Sequence, residues 1–319
     1  RKKHDTTAKP AAIRRALGRQ TGQPRQRPPD AKRHRAAPCG KPSRREPQNV
    51  PQTRKKDFLN NAALPKTAKP HPWPKRIAVT LAIALAAGAA CFGAYASDYY
   101  RAQDTSTLLS DAKAVSVEEN DESIAIAPPG SLEGESSAKA GLILYPGAKV
   151  DPHAYVPLAE KIAERGYICV IAKMPFNLAF FGIDAASGIM DNYPQTDSWW
   201  IAGHSLGGVA AAQYAAGHPD VLEGIAFLAS YPVSDLSETD LHALSAYGSQ
   251  DLVLNRESLA ENATKLPANT KTVAIEGGNH AGFGAYGPQK GDGEAAISAD
   301  EQQEAFANAF DAAAGADRQ

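Results

Sequence analysis

The chain has 319 residues and a formal net charge of −1, but this value is the sum of two unlike parts. Residues 1–76 carry 22 Lys and Arg against 4 Asp and Glu, which gives +18, whereas residues 77–319 carry 12 against 31, which gives −19. This asymmetry excludes a single evenly charged domain, and each part needs its own interpretation.

The first 76 residues hold 12 of the 23 prolines and few large apolar side chains. Such a segment cannot bury enough apolar surface to offset the entropy of ordering the chain, which predicts a disordered basic tail over residues 1–76. Its Lys and Arg clusters could contact phosphates, but it has no predicted fold and almost no interleaved aromatic residues. We therefore expect no nucleic-acid partner, and a solvated tail whose charge sets membrane topology.

Residues 77–96, IAVTLAIALAAGAACFGAYA, form an uncharged apolar run. At 1.5 Å per residue, a helix of this length crosses a bilayer core of about 30 Å. The positive charges before it predict a single-pass cell-membrane protein with a cytoplasmic tail and an extracytoplasmic body. Cleavage after Ala96 is the alternative, because Ala94-Tyr95-Ala96 fits a signal-peptide site. The long segment ahead of the run favours an uncleaved anchor.

The acidic part divides into a polar stalk over residues 97–110 and a folded domain over residues 111–319. Two short alternating runs, at 114–117 and 123–127, predict a β-hairpin. Strands and helices alternate from there on, which is the pattern of an α/β fold with a mainly parallel sheet and helices on both faces. The predicted strands of that sheet are 141–145, 167–172, 199–202, 224–229, 242–246 and 272–275.

Helices are predicted between these strands, among them one over residues 176–190. Ser298 and Glu301 form a capping box, which predicts the start of the last helix. The three dispersed cysteines fit neither a disulfide framework nor a metal-ligand spacing, and Cys169 is expected to be a small buried hydrophobe in its strand. We expect no metal and no cofactor.

The segment Gly203-His204-Ser205-Leu206-Gly207 matches the pattern G-x-S-x-G. An apolar strand precedes it and an Ala-rich helix follows it, as the sharp turn that exposes a nucleophilic serine requires. The pattern alone is weak, so its setting carries the prediction. His204 is expected to point away from the serine and to pack or bond locally.

A nucleophilic serine needs a histidine base and a carboxylate that orients the base. Asp251 and His280 follow later predicted strands in the required order Ser, Asp, His. We therefore predict Ser205, Asp251 and His280 as a catalytic triad, with Asp235 as the second choice for the acid. Each residue taken singly could equally be an ordinary turn or loop residue.

Stabilising an oxyanion requires two backbone N–H groups. One is predicted from Leu206, after the serine, and the other from Ala148, with Lys149 as the alternative. Gly147 is expected to let the backbone approach the substrate closely.

Other candidates for substrate binding stand in loops at the same end of the domain. Phe176 and Phe181 could line an acyl pocket or be ordinary core, and both interpretations stay open. Polar residues that could bind a polar group of the substrate are Lys149, Asp151, Lys290 and Asp292.

Residues 138–310 resemble the α/β-hydrolase superfamily, in its small single-domain bacterial branch related to dienelactone hydrolases. The resemblance rests on YPGAKVDP at 145–152, KMPFNLAFF at 173–181, the G-x-S-x-G turn, AYGSQD at 246–251 and GGNHAGFGAYGPQKGDG at 277–293. Dienelactone hydrolases have a cysteine where Ser205 stands, so the resemblance does not extend to their substrate.

The resemblance implies a serine hydrolase that cleaves a small-molecule carboxylic ester or thioester through an acyl-enzyme. The alternative is a non-catalytic, membrane-tethered binding protein with the same fold. The complete set of triad residues favours the enzyme, because a degenerate site tends to lose the serine or the histidine.

Overall fold

The computed structural model describes residues 73–103 and 115–315. The predictions for the tail over residues 1–72 and for the second half of the stalk lie outside the described residues. The predicted membrane segment forms helix α1, Trp73–Ser97. Of the described helices, it is the one long and apolar enough to cross a membrane, judged by length and composition.

The domain is built on one eight-stranded sheet with the strand order β1-β2-β4-β3-β5-β6-β7-β8. Strands β3 to β8 run parallel to one another, and β1 and β2 add an antiparallel hairpin at one edge, as the sequence predicts. The strands are Ser116–Glu119, Ser123–Ala127, Gly141–Tyr145, Ile168–Ala172, Trp199–His204, Gly224–Leu228, His242–Gly248 and Lys271–Ile275.

Among the described residues five α-helices follow α1, and four of them cover the two faces of the sheet. Helices α2 and α6 pack on one face, where Phe306 and Phe310 are buried, and α3 and α4 pack on the other. Strands β2 to β6 are buried at every position, as expected of strands covered on both sides. The helices are Val156–Glu164 (α2), Ala185–Asn192 (α3), Leu206–Gly217 (α4), Arg256–Asn262 (α5) and Ala299–Ala314 (α6).

Two local predictions are confirmed. Ser298 and Glu301 form a reciprocal capping box at the start of α6. Cys169 is fully buried in β4, and this burial raises the pKa of its thiol to about 12. The thiol therefore stays protonated near neutral pH and packs as a small hydrophobe.

The predicted helix over residues 176–190 is wrong in its first half. Residues Pro175–Asn177 and Ala179–Phe181 form two separate 3-10 turns, and the helix proper begins at Ala185. Phe176 and Asn177 have φ angles of 59° and 54°, which no right-handed helix accommodates. This irregular segment, residues 175–182, is called the aromatic loop below.

The first part of the predicted stalk lies against the domain. Tyr100 pairs with Val150 in a parallel bridge, and its N–H donates to the carbonyl oxygen of Lys149 at 2.7 Å. The N–H of Gln103 donates to the carbonyl oxygen of Ala285, also at 2.7 Å. Residues 98–103 are thus held by the loops that follow β3 and β8.

Candidate active site

Ser205 occupies the turn between β5 and α4, with φ 53° and ψ −120°. A non-glycine residue in this region costs on the order of 1–3 kcal/mol, so the surrounding structure must impose the conformation. Gly203 and Gly207 make the turn possible: a Cβ at Gly203 would overlap the backbone of Gly207, and one at Gly207 would overlap the carbonyl oxygen of Tyr145. The hydroxyl of Ser230 donates to the carbonyl oxygen of Ser205 at 2.6 Å and secures the turn.

The imidazole of His280 lies against the carboxylate of Asp251. His280 Nδ1 is 2.9 Å from Asp251 Oδ2, and both side chains are buried. Asp251 Oδ1 accepts the N–H groups of Val253 and Leu254 at 2.9 and 2.8 Å, which fixes the carboxylate. Asp235, the second choice for the acid, is exposed and accepts the N–H of Ser237 instead.

Ser205 and His280 line the same small cavity of about 180 Å³. His280 Nε2 is buried and lacks a hydrogen-bond partner among the residues that the structure describes. A buried polar nitrogen without a partner is costly and calls for an explanation. Because Nδ1 is engaged by Asp251, Nε2 is the nitrogen free to exchange a proton in this cavity. The other lining residues include Leu206, Val209, Tyr231, Val253 and Leu254.

The turn after β3 supplies backbone N–H groups beside β5, its neighbour in the sheet. The N–H of Gly147 donates to Tyr155 Oη at 2.9 Å, and that of Lys149 donates to the carbonyl oxygen of Asn177 at 2.7 Å. The N–H of Ala148 has no acceptor within the described part of the chain. Leu206 opens α4, so its N–H has no acceptor within that helix either.

The strand order places these groups where α/β proteins usually bind their ligands. Chain order reverses at β3, which lies between β4 and β5, and ligands bind outside the carboxyl ends of the strands at such a point. Ala148 follows β3 and Ser205 follows β5, so both flank this crevice.

His204 is buried beneath the site and joins two of its loops, consistent with the expected local role. Tyr155 Oη is 2.8 Å from His204 Nδ1, and His204 Nε2 is 3.1 Å from the carbonyl oxygen of His280. Burial, and secondarily the nearby His280, hold the pKa of His204 well below its usual range. The neutral ring then donates from Nε2 and accepts the Tyr155 hydroxyl at Nδ1.

Sequence reasoning missed this role of Tyr155. Tyr155 Oη accepts from Gly147, so one chain of hydrogen bonds runs from the turn after β3 through His204 to the loop of His280. No sequence pattern marks such a contact, because its members are 8 and 49 residues apart.

Asp292 organises the loops of the histidine and the acid instead of facing the cavity. Its Oδ1 accepts the N–H groups of His280 at 3.2 Å and Leu252 at 3.4 Å, and its Oδ2 accepts that of Ala281 at 2.9 Å. The buried side chain of Gln302 adds two hydrogen bonds to the backbone of Asn279, at 2.9 and 2.8 Å. These contacts position the backbone on both sides of the His280–Asp251 pair.

Three predicted substrate-binding side chains lie away from the serine cavity. The ammonium group of Lys149 is 3.2 Å from Asp98 and lies 4.4 Å from the centre of the Tyr95 ring. Phe176 and Phe181 are both 55% exposed on the aromatic loop, and neither lines the cavity of Ser205. The structure therefore does not bring these side chains to the serine, although Lys149 directly follows Ala148.

A mainly parallel sheet with a serine on a strained strand-to-helix turn is the architecture of an α/β hydrolase. The sequence profile described as "Alpha/beta hydrolase family" matches residues 141–304. The chain belongs to the alpha/beta hydrolase family. A comparison with curated proteins finds no match.

Solved structures of similar fold include a predicted CIB-like hydrolase from Thermoplasma acidophilum, with 15% identity and a TM-score of 0.44 over 61% of this chain and 96% of that one. Est1E from Butyrivibrio proteoclasticus has 15% identity and a TM-score of 0.44 over 62% and 98% of the two chains. Est1E with bound ferulic acid has 14% sequence identity and a TM-score of 0.45 over 63% of this chain and 96% of that one. Similarities of this size carry no argument about activity or substrate.

Proposed function

We propose that the protein is a membrane-anchored serine hydrolase that cleaves a carboxylic ester or thioester bond. The observation that carries the proposal is the contact of His280 Nδ1 with Asp251 at 2.9 Å, while His280 Nε2 is unpartnered beside the cavity that Ser205 also lines. Nucleophile, base and orienting acid then stand in the order that acyl transfer requires.

In the first step, His280 Nε2 removes the hydroxyl proton of Ser205 as Oγ bonds to the carbonyl carbon of the substrate. The electron pair of the carbonyl double bond moves to its oxygen. The N–H groups of Leu206 and Ala148 stabilise that developing negative charge. Asp251 orients the imidazole and stabilises the imidazolium that forms.

In the second step, the carbon–oxygen or carbon–sulfur bond of the leaving group breaks, and the leaving alcohol or thiol takes the proton from His280 Nε2. The acyl group stays on Ser205 Oγ. A water molecule then attacks the acyl carbon while His280 accepts one of its protons. Collapse of that intermediate releases the acid and returns the proton to Ser205.

A fluorophosphonate probe separates this enzyme from a binding protein of the same fold. We expect the full-length protein to be labelled stoichiometrically at Ser205, because only a serine activated by a base attacks phosphorus rapidly. Peptide mapping of the adduct is the measurement. A protein that binds esters but resists the probe would support the non-catalytic alternative, and labelling of another serine would displace Ser205.

We further propose that α1 is an uncleaved anchor, with residues 1–76 in the cytoplasm and the domain of residues 111–319 outside. The protein is expected to remain with membranes after alkaline carbonate extraction, because twenty uncharged residues span the hydrocarbon core. Quantitative recovery in the soluble fraction, with a chain that begins at Ser97, would instead establish cleavage after Ala96.

Orientation is tested by a membrane-impermeant maleimide on intact cells. A Glu294→Cys variant carries an exposed thiol on the domain and should be labelled without permeabilisation of the cells. Cys39 of the tail serves as the internal control and should require permeabilised cells. Labelling of Cys39 alone in intact cells would reverse the topology. The relation to dienelactone hydrolases stays a prediction from sequence.

A further inference from the structure

The last turns of α1 contact the domain at the aromatic loop. The ring centre of Phe92 lies 5.1 Å from that of Phe176 and 6.0 Å from that of Phe181, and the latter two rings are 5.6 Å apart. All three pairs meet edge to face, the arrangement in which aromatic rings attract one another. The proposed anchor is therefore packed on the domain.

The connection between α1 and the domain is also short. Only Asp98 and Tyr99 separate the end of α1 from Tyr100, whose backbone pairs with the loop after β3. The ammonium group of Lys149 contacts Asp98 and the ring of Tyr95. The carboxyl edge of the sheet, where Ala148 and Ser205 lie, is thus fastened to the end of α1.

This arrangement fixes the depth of the aromatic loop. Phe92 lies four residues before Ala96, the end of the apolar run, which is about 6 Å at 1.5 Å per residue. Side chains in contact with Phe92 must share its depth when α1 spans a bilayer. Interfacial helices of proteins bury their apolar face about 5–10 Å into the boundary between the lipid headgroups and the acyl chains.

The aromatic loop has the composition and shape for that position. Phe176, Phe180 and Phe181 are 55%, 46% and 55% exposed, so three large rings face outward within six residues. A cluster of exposed aromatic side chains marks an interaction surface. Phe176 itself adopts a positive φ of 59°, a backbone conformation that is rare for a bulky residue and that the surrounding structure must hold in place.

We infer that the aromatic loop inserts into the membrane surface, and that the active site draws an amphiphilic acyl ester from the bilayer. The inference rests on the proposed anchor and hydrolase. The carbonyl oxygen of Asn177, within the loop, accepts the N–H of Lys149, the residue next to Ala148. The aromatic loop is therefore hydrogen-bonded to the turn that carries Ala148, one side of the proposed oxyanion site.

The size of the serine cavity agrees with a substrate held partly by the membrane. A volume of about 180 Å³ is below the 300–1,000 Å³ typical of pockets that enclose a drug-sized ligand. The cavity can take the ester group and a short acyl part. The remaining hydrocarbon of an amphiphilic ester stays in the bilayer. This is possible because the carboxyl edge of the sheet, where Ser205 lies, is joined to the end of α1.

Quenching by brominated lipids measures the depth of the loop. The full chain is reconstituted in phosphatidylcholine vesicles with Trp73→Phe as background, because Trp73 opens α1, whereas Trp199 and Trp200 are buried in the domain. Phe181→Trp is compared with Val221→Trp. Val221 is 51% exposed but precedes β6, at the opposite edge of the sheet.

We expect lipids brominated near the headgroup end of the acyl chain to quench the tryptophan at position 181 and to leave that at position 221 unquenched. Vesicle flotation is measured on the same samples. If the protein floats but neither tryptophan is quenched, or both are quenched equally, the inference is overturned and the anchor is retained. Protein that fails to float would overturn the anchor together with the inference.

A rate ratio tests the source of the substrate. For wild type and Phe181→Ser, kcat/KM is measured on a long-chain ester embedded in vesicles and on a short water-soluble ester. We expect the ratio of the two values to fall about tenfold in the variant, since an apolar contact with the bilayer is lost. A Val221→Ser control should keep the wild-type ratio. An unchanged ratio in Phe181→Ser would show that the ester comes from water, and absence of any hydrolysis by wild type would refute the enzyme itself.

Discussion

Ser205→Ala should abolish ester hydrolysis, with kcat reduced on the order of a million-fold. The magnitude follows because a triad acts as one unit, so that removal of its nucleophile alone removes nearly all of the rate that the triad supplies. The rate is measured with a chromogenic short-chain ester under saturating conditions. Residual activity within about a thousandfold of wild type would assign the nucleophile elsewhere.

The same variant should fold as well as the wild type. The hydroxyl of Ser205 makes no hydrogen bond to any described residue, and alanine carries the same Cβ at the strained φ of 53°. We therefore expect a Tm close to that of wild type. Ser230→Ala is the matched control at the same turn: it removes the hydrogen bond to the carbonyl oxygen of Ser205 but no reacting group. It should lose far less activity than Ser205→Ala.

Asp251→Asn should lower kcat on the order of ten-thousand-fold. The reason lies in the two N–H groups of Val253 and Leu254, which Asp251 Oδ1 accepts. An asparagine must keep its oxygen toward these donors, so its NH2 group faces His280 Nδ1. The ring then holds its proton on Nε2, and that nitrogen cannot accept the proton of Ser205.

Asp235→Asn is the control for that experiment, since Asp235 also follows a strand and was the second choice for the acid. Its carboxylate is exposed and bonds only to Ser237 among the described residues. We expect kcat within about twofold of wild type, as for most surface substitutions. A dead Asp235 variant beside an active Asp251 variant would reverse the assignment of the acid.

The features that depend on neighbours in the chain could be predicted from the sequence. The serine turn needs Gly203 and Gly207 at fixed offsets, the capping box needs Ser298 and Glu301, and the apolar run of α1 needs only length and composition. Alternating strand and helix patterns likewise predicted a mainly parallel sheet with helices on both faces, because burial repeats with the period of each element. The order Ser, Asp, His along the chain followed from the fold that these patterns implied.

The aromatic loop shows where such reasoning fails. Phe176 to Phe181 have the apolar content of a helix, yet Phe176 and Asn177 adopt positive φ angles that only the surrounding structure can impose. Their environment is set by α1 and by the turn after β3, which are distant in sequence. Local propensity is outweighed there by tertiary contacts.

The contact of His280 with Asp251 instead of Asp235, and the contacts of Tyr155 and Asp292, likewise follow only from the tertiary structure. His280 meets Asp251 across 29 positions of sequence, and Leu252 meets Asp292 across 40. These residues come into contact only when β7 and β8 pair in one particular register. The sequence by itself determined which chemical groups are present and which strand ends carry them. Strand register, and the packing of α1 on the aromatic loop, determined which of these groups come within hydrogen-bonding distance.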